Sequence, residues 1–482
     1  MRRRPWLGAC ALALAALAGL ARSLAACEAP YGEALGSPEA AADGALADDA
    51  SPEAAAPVDA GIAADAGAVV QISTGIRSAC ARRSSGEVDC WGGNDKGGLG
   101  TSPETDNVCG PSRLRCRTSP VRVEGLAAAT HLSLGGLFAC AVVQGGEVWC
   151  WGDNLKGTLG PGTTAVSSYQ PVRVTGLPPA LDVAAGRYNA CARVTDGGSV
   201  RVYCWGSDEF GVNGKPPSAA TLSAPVEIAG LAGARSISLG LLADSACAVR
   251  ADGRVVCWGR RIFGNLGDPD GGAPEACCAD GGTCPVSCST TPGPIGGPTF
   301  QASTVSVGYF GSCARTAGAE TFCWGSNVYG TLGVGTFDTA SHPDPSRVEG
   351  ISAIAEVSFR HTHACGVGDA GVLSCWGGNV FRELGDGEQV GTFCGSGYRC
   401  RPTPIAVAIP SPIGAVSSGV NFTVALTKAG KVYAWGQNNY GALGHPPGKE
   451  NDVTPCQASP DAAAPALGPG ECGPSPVEVR FP

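Results

Sequence analysis

The chain has 482 residues, and its 42 acidic and 33 basic residues give a formal net charge of −9. This negative balance argues against nucleic acid as a partner, because binding to nucleic acid depends on neutralising phosphate groups. The chain has 24 cysteines. Beyond residue 27 they fall into hairpins and loops that each hold an even number, which favours an oxidising compartment and local disulfides.

Residues 1–26 are expected to form an export signal. Three arginines at positions 2–4 precede an apolar run over residues 7–21, and Leu-Ala-Ala-Cys ends at Cys27. That ending resembles a bacterial lipobox, which implies that Cys27 is acylated and becomes the mature N-terminus. We therefore expect a lipoprotein of the outer membrane or cell surface. The alternative is ordinary cleavage nearby, which would give a soluble secreted protein.

Residues 27–67 are rich in Ala, Pro, Gly and acidic residues. They contain no basic residue. A segment of this composition does not bury enough apolar surface to order itself, so it is predicted to be a disordered tether attached to lipid.

Residues 68–482 contain seven copies of one unit, each centred on a Trp-Gly pair. The tryptophans are Trp91, Trp151, Trp205, Trp258, Trp324, Trp376 and Trp435. A repeat of this length indicates a solenoid or a propeller.

A three-residue hairpin is predicted just before six of the seven Trp-Gly pairs, and blade 3 has three extra residues before Cys204. In blade 1 it joins Cys80 to Cys90, and its third loop residue is Gly86, where a left-handed backbone is expected. The hairpin register puts the two cysteines opposite each other, within the reach of a disulfide. Six such pairs are predicted: Cys80–Cys90, Cys140–Cys150, Cys191–Cys204, Cys247–Cys257, Cys313–Cys323 and Cys365–Cys375. The seventh copy has Val424 and Ala434 instead, and a paired apolar replacement favours a structural role.

Each unit also has an alternating strand before the hairpin and, after it, a strand predicted to start at a proline, as at Pro120 and Pro476. Four strands in each of seven units predict an all-β protein, a seven-bladed β-propeller. The last copy ends with a proline strand, whereas the first copy lacks a preceding one. The C-terminal strand is therefore predicted to close the ring by completing the blade that the N-terminal strands begin.

The units resemble the repeats of the regulator of chromosome condensation family, which contain Trp-Gly-x-Asn followed by Gly-x-Leu-Gly. Here the match is Trp91 to Asn94 with Gly97 to Gly100, and it recurs along residues 68–482. Asp208 and Arg261 replace the Asn in blades three and four. The repeat type is also similar to that of a secreted β-lactamase inhibitor, which implies, as an alternative function, an inhibitor that plugs an enzyme with one propeller face.

Long inserts follow the Leu-Gly turns of blades one, four, six and seven, and they are expected to crowd one rim. Their cysteines are predicted to form local disulfides: Cys109 with Cys116, Cys394 with Cys400, Cys456 with Cys472, and two bridges among Cys277, Cys278, Cys284 and Cys288. A zinc site in this last loop is the weaker alternative, since adjacent cysteines do not fit zinc-ligand spacing. No metal is expected.

Two inserts set arginines beside their second cysteine. The candidate partner-binding residues are Arg113, Arg115, Arg117, Tyr398, Arg399 and Arg401, because Arg and Tyr are frequent in interface hot spots. Solvated charges that keep the rim soluble are the alternative.

The sequence contains no nucleophile elbow, phosphate loop, zincin motif or dinucleotide fingerprint. His361 and His363 would share one face of a strand, but no free ligand nearby is expected to join them around a metal. We therefore expect a monomeric, non-enzymatic binder of a protein, peptide or glycan, with no catalytic residue and no cofactor. An enzyme with a site at the mouth of the central channel is the alternative of a different class.

Overall fold

Seven antiparallel sheets contain nearly all of the regular structure in the computed structural model. It describes residues 67–482 except 111–112, 217–220, 241–242, 268–274, 277–286, 352, 388–391, 395–397, 451, 454–455 and 457–470. The predicted export signal, the predicted tether up to residue 66 with Cys27, and Cys277, Cys278 and Cys284 lie outside the described residues.

The strands follow the predicted repeat, and each sheet is one blade. Blade 1 has β1 (Val69–Thr74), β2 (Ser78–Arg83), β3 (Val88–Gly93), β4 (Asn107–Cys109) and β5 (Leu114–Arg122). Blade 2 has β6 (Ala129–Leu134), β7 (Phe138–Val143), β8 (Val148–Asp153) and β9 (Ser167–Arg173). Blade 3 has β10 (Ala180–Ala185), β11 (Asn189–Asp196), β12 (Ser199–Ser207) and β13 (Thr221–Glu227). Blade 4 has β14 (Ser236–Leu239), β15 (Ser245–Val249), β16 (Val255–Arg261), β17 (Glu275–Ala276) and β18 (Ser287–Pro294).

The remaining blades continue the pattern. Blade 5 has β19 (Thr304–Val307), β20 (Gly311–Arg315), β21 (Thr321–Ser326) and β22 (Ser341–Arg347). Blade 6 has β23 (Ile354–Phe359), β24 (His363–Gly368), β25 (Leu373–Gly378), β26 (Thr392–Phe393) and β27 (Arg399–Ala406). Blade 7 has β28 (Ile413–Ser418), β29 (Phe422–Thr427), β30 (Val432–Gln437) and β31 (Cys472–Val479). Short 3₁₀ turns occur at Pro103–Thr105 and Gly160–Gly162.

The predicted seven-bladed β-propeller with four-stranded antiparallel blades is confirmed. Blades 1, 4 and 6 add a fifth, outermost strand, because their inserts fold back as β4, β17 and β26 along the outer strand of the blade. This extra pairing covers an edge that would otherwise expose unpaired backbone groups.

The hairpins have the predicted left-handed third residue. Gly86 has a φ of 86°, and Ala319, the one alanine at this position, has a φ of 59°. The amide of Gly86 donates to the carbonyl of Arg83 at 2.9 Å, which closes the turn. The hairpin register then sets Cys80 opposite Cys90.

All six cross-strand cysteine pairs are disulfide-bonded, with Cα atoms 4.0–4.1 Å apart. The insert pairs Cys109–Cys116, Cys394–Cys400 and Cys456–Cys472 are bonded as well. Cys288 is also disulfide-bonded.

The fourth strands do not start at the proline, so that prediction was wrong. Pro120 lies inside β5, at a bulge between the pairs Cys90–Val121 and Gly92–Arg117. A proline has no amide hydrogen to donate to a strand ladder, and a bulge removes the need for one. The strand therefore continues on both sides of the proline.

Ring closure also differs from the prediction. The C-terminal strand β31 pairs with β30 of its own blade, and β1 to β5 complete blade 1 without it. The seam is closed by packing: the hydroxyl of Thr74 bonds to Ser417 and to the carbonyl of Ser418, each at 2.8 Å. The rings of Phe481 and Trp91 pack edge to face, with their centroids 5.7 Å apart. Each blade is thus a contiguous piece of chain.

The repeated tryptophan is the main link between blades. Each indole N–H donates to the carbonyl of the second residue in the preceding blade's Gly-x-Leu-Gly turn, at 2.7–3.0 Å. All seven side chains are fully buried, and one apolar cluster fills each blade interface. The bond from Trp91 to Ala442 joins blade 1 to blade 7 and completes the circle.

The alternating strand direction gives the disc two faces. The inserts and the loops between the first and second strands of each blade lie on one face, which we call the insert face. The hairpin loops lie on the other, the hairpin face, together with Gly67 and the end of β31. In the described part of the chain, no helical segment has the length and apolarity needed to cross a bilayer.

Candidate partner-binding face

An aromatic cluster occupies the insert face across blades 4 to 6. Phe263 follows β16, Tyr309 and Phe310 join β19 to β20, and Tyr329 and Tyr398 come from the loops of blades 5 and 6. The rings pack edge to face or tilted, with centroids 4.6 Å apart for Tyr309 and Phe310 and 5.5 Å for Phe263 and Phe310. Sequence reasoning missed this cluster because its members come from three blades.

His361 extends the aromatic cluster. Its ring lies 5.7 Å from that of Tyr309 and 5.6 Å from that of Phe310. Burial against these rings lowers the pKa of His361 to about 4, so the imidazole is neutral at physiological pH. Tyr309, Phe310 and Tyr329 are buried in the cluster, so Phe263 and Tyr398 are the rings that it leaves partly exposed.

His363 is fully buried at the start of β24, and burial lowers its pKa to about 3. Its Nε2 lies 2.9 Å from the hydroxyl of Thr423. That hydroxyl gives its hydrogen to the carbonyl of Glu383, so His363 Nε2 must be the donor. Among the described residues, no group of three or more His, Cys, Asp or Glu side chains is placed to hold a metal ion.

Glu383 is an acidic residue in the interior of the propeller. It is fully buried, accepts hydrogen bonds from the hydroxyl of Thr362 at 3.3 Å and the amide of Phe381 at 2.6 Å, and burial raises its pKa to about 8. The carboxyl group is thus out of contact with solvent and is held by two hydrogen bonds. It forms one polar network with Thr362, His363 and Thr423.

Blade 6 departs from the other blades at two further positions. Arg360 stands where the other six blades have a glycine, and its guanidinium donates to the carbonyls of Ser418 at 3.2 Å and Val307 at 3.3 Å. Arg382 replaces the first glycine of the Gly-x-Leu-Gly turn and keeps its left-handed backbone, with a φ of 65°. Both residues lie toward the insert face, and Arg360 is fully buried there.

Most of the predicted partner-binding arginines have partners within the chain. Arg117 forms an ion pair with the buried Asp106, and Arg401 forms one with Asp386 at 3.3 Å. Both acids also accept a hydrogen bond from the Asn of the Trp-Gly-x-Asn motif, Asn94 or Asn379. These two arginines therefore fasten the inserts to their blades.

The other predicted residues differ in their surroundings. Arg115 is exposed and donates to the carbonyl of Asp106 at 3.0 Å, while Arg113 is exposed in a left-handed turn. Arg399 stacks over Phe393, 4.7 Å from the ring centroid. Tyr398 is stacked on Tyr329 at 6.4 Å and belongs to the aromatic cluster.

Arg187 and Asp244, in the loops between the first and second strands of blades 3 and 4, form an ion pair at 3.0 Å. The guanidinium of Arg187 also lies 5.0 Å from the ring centroid of Tyr188. Arg260 lies 4.0 Å from the same carboxylate, so Asp244 links two arginines on the insert face.

These features define the class of protein: a disulfide-rich seven-bladed propeller whose blades are linked through a Trp-Gly motif. The RCC1-like domain model matches residues 112–468, and the Regulator of chromosome condensation (RCC1) repeat model matches residues 69–97. The chain therefore belongs to the RCC1-like family.

Similar proteins share the propeller. The Ultraviolet-B receptor UVR8 of Arabidopsis thaliana is 28% identical over 388 residues, which cover 78% of each chain. The human probable E3 ubiquitin-protein ligase HERC4 is 32% identical over 148 residues, which are 30% of this chain and 13% of HERC4. Yeast RCC1 (Prp20), solved with Kap60 bound, superimposes with a TM-score of 0.63 and 18% identity, covering 86% of this chain and 85% of that one.

Proposed function

We propose that this protein is a non-enzymatic, lipid-anchored propeller of the cell envelope that binds a protein partner through the insert face. The observation that carries the proposal is the asymmetry of the disc. The aromatic cluster and the disulfide-stapled inserts lie on one face, whereas Gly67, where the predicted tether joins the propeller, lies on the other. Loops on a rigid scaffold are where binding residues concentrate.

The asymmetry also gives an orientation. A chain anchored through Cys27 would be attached to the membrane from the hairpin face, so the insert face lies away from the attachment point and is open to a partner. The partly exposed side chains of Phe263 and Tyr398 supply contact area at low entropic cost, and arginines such as Arg113 add polar contacts at the rim. Yeast RCC1 (Prp20) was solved with Kap60 bound, so this fold is compatible with protein partners.

Site-specific photo-crosslinking in the native envelope tests the binding face. A photoreactive phenylalanine analogue is placed at Phe263 or Tyr398 on the insert face, and at Asp252 or Lys428 on the hairpin face as matched controls. The expected result is one protein species, identified by mass spectrometry, that crosslinks from the insert face and not from the hairpin face. Equal crosslinking from both faces, or crosslinks from the hairpin face alone, would contradict the proposal.

Metabolic labelling with an alkyne fatty acid tests the anchor. The natural chain and a Cys10→Ser variant should be labelled and sediment with membranes, whereas Cys27→Ser should lose both properties. Labelling that survives in Cys27→Ser would refute the anchor and leave the binding face untouched, so the two parts of the proposal are separable.

A further inference from the structure

A cavity of about 650 Å³ opens between the outer strands of blades 1 and 2, away from the aromatic cluster. Its walls include Thr101, Ser102 and Thr105 from the loop after β3, Arg117 in β5, and Tyr169 and Gln170 in β9. This volume lies within the range of roughly 300 to 1,000 Å³ that is typical of small-molecule sites.

Tyr169 distinguishes this blade boundary from the others. Its backbone packs against Gly97 of the preceding blade's turn. At three equivalent boundaries the residue packed against the turn glycine is Thr118, Thr290 or Pro402. Tyr169 is therefore an aromatic side chain at a place that otherwise holds small residues, and it is 44% exposed. The fold does not require an aromatic side chain at this position, since the three boundaries just named pack without one.

The cavity offers no unpaired positive charge among its lining residues. Arg117 is neutralised by Asp106, and its Nη2 donates to the hydroxyl of Thr105 at 3.0 Å. The carboxylate of Glu124 adds a negative charge to the lining. The cavity is therefore a poor site for an anion, since its one lining cation is already paired.

The edge of β9 is equally unsuited to pairing with an added peptide strand. Pro171 has no amide hydrogen, and the carbonyl of Gln170 already accepts a hydrogen bond from the hydroxyl of Ser168 at 2.7 Å. A peptide that adds to a sheet edge depends on main-chain hydrogen bonds of that kind.

We propose that this cavity binds a neutral carbohydrate, with the apolar face of one sugar ring against Tyr169. Hydroxyl groups need partners that both donate and accept, and Thr101, Ser102 and the amide of Gln170 supply them. The paired guanidinium of Arg117 keeps donors for a ring hydroxyl, and the Tyr169 ring supplies the flat apolar surface. The site is separate from the aromatic cluster, because it lies between the outer strands of blades 1 and 2 rather than among the loops of blades 4 to 6.

Titration of the full mature chain with cellobiose, lactose and N,N′-diacetylchitobiose, followed by saturation-transfer NMR and calorimetry, tests the proposal. At least one disaccharide should bind saturably with a dissociation constant of about 1 mM or tighter. Tyr169→Thr installs the residue type found at two equivalent boundaries and should weaken binding by roughly tenfold or more. Phe337→Thr, at another exposed aromatic residue, should leave binding unchanged.

Unfolding curves of both variants that match the natural chain would show that the fold is intact. The proposal is overturned if none of the three sugars binds saturably, or if Tyr169→Thr binds as tightly as the natural chain. It is also overturned if a neutral Gly-Ser-Thr-Gly-Ser peptide saturates the cavity and no sugar does.

Discussion

A seventh cross-strand disulfide should form if Val424 and Ala434 are both replaced by cysteine. These residues are paired in the same register as Cys80 and Cys90, and both are fully buried at the seam between blades 7 and 1. The natural cysteine pairs have Cα atoms 4.0–4.1 Å apart and most close a loop of 10 residues. The hairpin of blade 7 should therefore accept a bridge without moving its backbone.

Closing a loop of this length contributes about 2 to 3 kcal/mol to the free energy of unfolding. Replacing the valine removes buried methyl contacts and costs about 1 kcal/mol, which leaves a net gain of about 1 to 2 kcal/mol. Urea unfolding followed by tryptophan fluorescence measures the gain, and non-reducing mass spectrometry counts thiols. Val424→Cys and Ala434→Cys alone serve as controls, each with one unpaired thiol. Two free thiols in the double variant, or a bridged variant less stable than the natural chain, would refute the prediction. The pair Val424 and Ala434 would then not share the geometry of the natural cysteine pairs.

Other predictions follow from the same repeat. Trp151→Phe should lower the free energy of unfolding by roughly 2 to 3 kcal/mol, because it removes the donor to Gly98, whereas Trp149→Phe in the same strand should cost less because that indole bonds to Glu147 at the surface. Burial raises the pKa of Asp208 to about 7, so the native state holds a proton that the unfolded state loses near pH 4. The stability advantage of Asp208→Asn should grow by up to about 1.4 kcal/mol per pH unit between pH 4 and 7 and level off above, as denaturant curves at several pH values will show; an advantage independent of pH would contradict it. Non-reducing peptide mapping should find the cysteines at 277, 278, 284 and 288 in two disulfides, and a free thiol or bound zinc there would contradict this.

The fold was predictable because local features of the repeat determine most of it. The spacing of Cys80 and Cys90 about Gly86 specifies one hairpin and its register, and both recur in the other blades except blade 3, where Asp196 pairs with Ser199 across a two-residue loop. Ring closure was not predictable in the same way. Whether β31 completes the first blade or its own depends on which two sheet edges meet in space, and the sequence of a strand does not record its neighbour.

The candidate site was predicted less well, because it depends on contacts between distant positions. Arg117 and Arg401 stand beside their cysteines as expected, but the acids that bind them lie at irregular distances from the motif. Asp106 is 12 residues beyond Asn94, whereas Asp386 is 7 residues beyond Asn379. No periodicity marks such acids. The ion pairs became visible only when the inserts were folded back on their blades.

Because the unit is repeated seven times, equivalent positions of the blades can be compared. Blade 6 differs from the other blades at the two positions that follow. A left-handed backbone at Arg382 costs about 1 to 2 kcal/mol relative to the glycine in the other blades, and a buried acid at Glu383 costs more unless it is protonated. Packing alone does not require either residue, since six blades close without them. The guanidinium of Arg382 donates to the carbonyl of Cys456 in the insert of blade 7 at 3.1 Å. Blade 6 therefore gives up local stability and gains a hydrogen bond that holds Cys456 of the neighbouring insert against its own turn.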